Sequence, residues 1–136
     1  MAGTADDTIE IRAFFERWYG ALENGDVAEL LSLVTPDVIV KPPGAPPIMG
    51  IGALREALTA FLDEHSETVD FVVDEIEVSG SLAFARISEC ANILPKSEPE
   101  GFSVDGMHLA ILRRQPDGGW LLTRDVSSLI DHARND

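Results

Sequence analysis

VDFVVDEIEVSGSLAFARISECANIL, residues 69–94, decides the fold. Two apolar-rich runs, Val69 to Val78 and Leu82 to Leu94, flank Ser79-Gly80-Ser81. A short Gly-containing turn between two such runs marks a β-hairpin. Downstream the pattern recurs: Phe102 to Arg114 and Gly119 to Ile130 flank Gln115-Pro116-Asp117-Gly118, which is turn chemistry again. The polar stretch from Pro95 to Gly101 joins the two pairs. Upstream the spacing changes from two to between three and four. Ile11, Phe15, Trp18 and Leu22 give one helical stripe, widened by Phe14 and Tyr19. Gly25 suits the position just past a helix end, and Asp26 with Glu29 forms a capping-box pattern for a short second helix. Val27, Leu30, Leu31 and Val34 would be its buried face, with Thr35-Pro36 ending it. A brief strand over Val38 to Val40 leads into Lys41 to Pro47, whose four prolines make a stiff loop. Leu54, Leu58, Phe61 and His65 mark a third helix.

Three helices followed by four long strands predict an α+β domain spanning residues 1–136. The helices are expected to pack on the concave face of a strongly curved antiparallel sheet, forming a cone with a cavity inside. Residues from both sheet faces would then be separable by alternation along each strand.

Composition narrows the function classes. Ten Lys and Arg against 24 Asp and Glu leave a net charge of −14. Such a surface repels phosphate backbones, so nucleic acid is not an expected partner. Apolar runs are far too short to span a membrane. The first ten residues have no basic start followed by an apolar stretch, so no secretory signal is expected. Cys90 is the only cysteine. It can support neither a disulfide nor a thiolate-built metal site, and a reducing, cytoplasmic setting is the expectation. The acidic run from Asp63 to Glu77 lacks the alternating ligands and central Gly of a calcium loop and reads as a solvated face. No dinucleotide or phosphate-loop fingerprint, no metal-ligand spacing among His65, His108 and His132, and no Gly-x-Ser-x-Gly elbow is present. Neither a metal nor an organic cofactor is therefore expected.

The stretches WYGALENGD (residues 18–26), TPDVIV (35–40), PPGAPPIMG (42–50), SGSLAFAR (79–86) and QPDGGW (115–120) together resemble the nuclear transport factor 2-like superfamily. Within it the chain is most similar to SnoaL-like and ketosteroid-isomerase-like proteins. The resemblance covers nearly the whole chain and implies a cone of three helices on a bent sheet, usually a homodimer, with a pocket in the cone. It does not imply one activity. Tyr19 falls where ketosteroid isomerases place an oxyanion-donating phenol, but their general-base carboxylate would fall near Lys41 and Pro42, where there is none. Their second acid would fall near Met107 to Leu109, again without a carboxylate. Limonene epoxide hydrolases use an Arg-x-Asp pair and a later Asp. Here Arg86 is kept, Ser88 replaces the first Asp, and Asp125 keeps the later one.

Alternation supplies the candidate site. Phe84, Arg86, Ser88, Cys90 and Asn92 share one strand face and are expected to line the cavity. Ala83, Ala85 and Ala91 would form an outer seam. On the last strand Thr123, Asp125 and Ser127 are expected inside, opposite Trp120, Leu122 and Val126. Arg86 and Asp125 would then meet, with Asp125 moving a proton, Arg86 stabilising negative charge and Tyr19 donating to an oxyanion. Phe15, Trp18 and Met107 complete the expected binding surface. If Met107, Leu109 and Ile111 point inward, His108 points outward; Glu89 is read as an outward charge. Two functions remain open: a cofactor-independent acid–base enzyme acting on a small apolar molecule, or a non-catalytic binding or assembly module. A homodimer is expected either way, because the Ala-rich face with Trp120, Leu122 and Val126 would otherwise be exposed.

Overall fold

The computed structural model describes residues 5–128 and 130–131, with side chains from Asp6 to Ser128. Its order is α1 (Ala5–Asn24), α2 (Val27–Ser32), β1 (Val34–Lys41), β2 (Ile48–Met49), α3 (Ile51–Glu64), β3 (His65–Ser79), β4 (Leu82–Pro95), β5 (Phe102–Arg114), β6 (Trp120–Ser127) and β7 (Ile130–Asp131). The fold is α+β, as the sequence predicts. Gly25 takes φ 65° at the end of α1, and the Asp26 side chain accepts from the Glu29 N–H to start α2.

Six strands run in the order β2-β1-β6-β5-β4-β3, and β7 pairs with β5 off that path. All pairings are antiparallel except β1 with β6, which is parallel. The first strand is longer than expected, because α2 stops at Ser32 and Val34 already pairs with Leu122. Pro36 is tolerated in β1 because the ladder is interrupted between Val34 and Ile39. The expected strand over 119–130 divides into β6 and β7, with residue 129 outside the described residues. Residue 129, His132 and the first four residues, on which part of the sequence reading rests, lie outside the described residues.

Helix α1 lays its aromatic stripe across the sheet. Ile11, Phe14, Phe15 and Tyr19 are buried with Ala83, Ala85, Ile87, Ala110, Leu112, Trp120 and Leu122 in one core. The alternation on β4 is clear: 83, 85, 87, 89, 91 and 93 are buried, and their neighbours are not. The alanines are therefore on the concave face, where small side chains let four aromatic residues of α1 approach the sheet closely. This reverses the expected face assignment of β4. Trp120 and Leu122 are likewise core residues rather than an outer seam. The convex face, which none of the described helices covers, exposes Val72, Leu94, Met107, Leu109 and Val126.

Candidate functional site

The concave face of β4, β5 and β6 carries three ionisable groups in contact. Glu89 stands in the buried row of β4, and His108 stands in the inward row of β5 with Ala110 and Leu112. Asp125 reaches the same face by an irregularity. Leu112 pairs with Leu122 and Ile111 with Arg124, so Thr123 is an extra residue in β6. One inserted residue flips the alternation, so Leu122 and Asp125 both face inward. Thr123 is itself buried, and its hydroxyl bonds that of Thr35 at 3.1 Å.

The Tyr19 hydroxyl donates to Glu89 Oε1 at 2.7 Å. His108 Nε2 meets the same oxygen at 2.7 Å, and Nδ1 lies 3.1 Å from Asp125 Oδ2. Only an imidazolium satisfies both contacts as a donor. Burial alone would lower the His108 pKa, but its bonds to Asp125 and Glu89 outweigh that and raise it to about 10. Tyr19 is pushed well above the ordinary phenol range by burial and then by the negative Glu89. It keeps its proton and donates. Phe71 stacks on its ring with centroids 4.4 Å apart, fixing the phenol's direction.

Phe15, Trp18, Tyr19, Ile87, His108, Ala110, Leu122 and Asp125 enclose a small cavity. Its ≈ 10 Å³ of space for a water centre holds about one water molecule. The cone is thus nearly filled by its own side chains. Larger open grooves lie elsewhere, one of ≈ 650 Å³ beside Glu23 and Glu67.

Several expected site residues are placed apart from this cluster. Arg86 faces the convex side, where its guanidinium lies 3.4 Å from Asp74 and 3.3 Å from Glu75. It does not meet Asp125. Ser88 also bonds Asp74 on that side, and Phe84, Cys90 and Met107 share the convex face. Tyr19, Phe15, Trp18 and Asp125 do come together, and Ser127 pairs in register with His108. Glu89 and His108, expected to point outward, are central. The missed signal is the contrast between rows: Ala83, Ala85, Ile87, Ala91 and Ile93 are uniformly small or aliphatic, whereas Phe84, Arg86, Ser88, Cys90 and Asn92 are mixed. The uniform row marks the core, and a single Glu within it requires a buried partner. Among the described residues, no group of three or more His, Cys, Asp or Glu side chains is arranged to hold a metal ion. None of the described helices is long and apolar enough to cross a membrane.

This helix-covered, curved sheet with a polar set at its centre is the nuclear transport factor 2-like architecture. Residues 15–121 match the model of the SnoaL-like domain, and the chain belongs to that family. A conserved protein from Planctomyces limnophilus is 26% identical, with a TM-score of 0.89 over 94% of this chain and 99% of that one. A ketosteroid isomerase-like protein from Erwinia carotovora is 20% identical, with a TM-score of 0.85 over 93% and 98%, a likeness of fold. A proposed dehydratase of the NTF2-like family from Streptomyces avermitilis is 27% identical, with a TM-score of 0.74 over 93% and 99%. No functionally curated protein matches the chain.

Proposed function

We propose that the protein catalyses proton transfer on a small, largely apolar molecule with its own side chains and without a cofactor. The observation that carries this reading is the buried chain Tyr19–Glu89–His108–Asp125, which ends on an otherwise apolar cavity. Asp125 is the carboxylate in the cavity wall and would take and return the proton. His108 is a positioning residue, holding Asp125 from one side while Glu89, itself bonded by the Tyr19 hydroxyl, holds the imidazolium from the other. The mixture of proposed isomerase-like and dehydratase-like relatives supports acid–base chemistry as a class. A general test needs no known substrate: NMR in D2O follows isotope exchange at the α-carbons of small cyclic ketones and lactones. Asp125→Asn should lose about 10²- to 10⁴-fold of any exchange activity. Equal exchange by both proteins would overturn the assignment.

A second reading, a non-catalytic assembly module, is favoured by the small cavity: a molecule larger than water enters only if side chains of its wall move. NMR shifts at His108 and Trp18 on adding the same compounds separate the two readings. Absence of binding at millimolar concentration would favour the module. Under either reading we propose a homodimer formed through the convex face, whose Val72, Met107, Leu109 and Val126 are 39–60% exposed. A light-scattering mass of one chain, independent of concentration, would contradict it.

A further inference from the structure

The buried set raises a question of access. Both ring nitrogens of His108 are engaged, and its side chain and those of Glu89 and Asp125 are only 15%, 7% and 13% exposed. A proton held there needs a route to solvent. Glu67 is placed to provide one. It lies in the more covered row of β3 with Val69, Phe71 and Val73, while Ser66, Thr68, Asp70 and Val72 are exposed. It pairs with Ile93 of β4, four residues along that strand from Glu89, with Ala91 between them on the concave face. Glu67 also lines the open groove of ≈ 650 Å³. Glu23 of α1 borders the same groove and is fixed there by the Val69 N–H at 2.7 Å.

We propose that Glu67 is the proton port of the site, passing protons between the groove and the Glu89–His108 pair. The inference rests on the reading of that pair as proton-handling, but the port itself operates with no substrate present. Outward transfer breaks the Nε2–H bond of His108 as its proton moves to Glu89. Glu89 then gives that proton, by way of intervening water, to an ionised Glu67, which releases it to the groove. Inward transfer reverses each step, so no other reactant is needed. The charged and titratable groups that act on Glu67 through their fields are Glu23 and Tyr19 on α1, Glu89 on β4 and His108 on β5. Burial, then the negative Glu89 and Glu23, lift its pKa to about 7 against the opposing pull of His108. Near neutrality it is therefore present in both forms, as a relay requires.

The experiment is ¹⁵N-histidine NMR of the full chain, measuring exchange of the His108 Nε2 proton with water near neutral pH. Glu67→Gln removes one of several neighbouring negative charges and should fold. It should slow exchange at least about tenfold, and Glu67→Asp should restore much of it, given the usual contribution of a positioned acid–base group. His108 should stay protonated in both variants, which shows that the set itself is intact. Unchanged exchange in Glu67→Gln would overturn the port and assign the route to the groove of Asp70 and Asp105, which Glu89 also borders. If substrate turnover is found, the same variant should lose the limb of the pH–rate profile near Glu67's titration. Slowed exchange in Glu67→Gln with no turnover of any substrate would leave the port standing and remove the catalytic reading.

Discussion

Two faces of one sheet carry similar ionic contacts in different settings. On the concave side His108 bridges Glu89 and Asp125, all three largely buried. On the convex side Arg86 bridges Asp74 and Glu75, with side-chain exposures of 40%, 25% and 45%. Each is one cation between two carboxylates on adjoining strands. Water screens the convex set, so its removal is cheap. The concave set lacks that screening, and its members depend on one another. The presence of polar residues in a strand thus does not identify a pocket; their burial does.

The largest test of this contrast is His108→Leu. It leaves Glu89 and Asp125 inside the cone without their shared cation. A loss of about 3–5 kcal/mol of unfolding free energy is expected from breaking a buried set in this way. Urea titration reads it directly, and a loss below about 1 kcal/mol would show that the cone admits water freely.

The pH dependence sharpens the same point. Glu67 titrates at about 7 in the fold against an ordinary 4.5. Ionising it therefore opposes folding, and stability declines as pH rises from 4.5 through 7. His108 titrates at about 10 against 6.5, so its stabilisation is complete below 6.5 and is lost as pH rises through 10. Both trends predict a chain most stable in mild acid. Glu67→Gln should flatten the lower limb, gaining about 2–3 kcal/mol near pH 8 relative to the wild type. A wild-type stability that rises between about pH 5 and about pH 8 would contradict the placement of Glu67.

Tyr19→Phe is the next smaller effect. It removes one hydrogen bond to a charged acceptor while keeping the ring stacked on Phe71. A loss of about 1.5–3 kcal/mol is expected by thermal or urea unfolding. The His108 pKa should remain raised, because both carboxylates remain.

Much of the fold was legible because hairpin turns and helical stripes are local signals. The Ser79-Gly80-Ser81 turn, the Asp26 cap and the third helix all follow from short-range chemistry. The parallel pairing of β1 with β6 was not, since it joins residues far apart in the chain. The site was legible only in part, for two physical reasons. Alternation groups Arg86 with Ser88 and Cys90 but leaves open which group faces the helices. Asp125 was expected inside from unbroken alternation in β6, yet it shares the concave face with Leu122 only because Thr123 is inserted between them. No pattern in Leu122-Thr123-Arg124-Asp125 announces that insertion. Tyr19, by contrast, is put on the buried side by the helical stripe of α1 and singled out by the resemblance to ketosteroid isomerases.

The smallest expected effect is on the convex face. Arg86→Ala in an isolated chain should change stability by less than about 1 kcal/mol, as exposed ion pairs usually do. Asp74 keeps its bond to Ser88, and Glu75 remains hydrated. This makes Arg86 a probe of whether the convex face stays open. If a second copy covers Val72, Met107, Leu109 and Val126, the neighbouring Arg86–Asp74 pair loses solvent and its disruption becomes expensive. The change should then depend on protein concentration, because dimerisation adds to apparent stability by mass action. Urea titrations at low and high micromolar concentration therefore compare the two faces under both conditions. A small, concentration-independent change would keep the faces distinct and count against the convex dimer. A change approaching that of His108→Leu, growing with concentration, would show the convex ions becoming as buried as the concave ones.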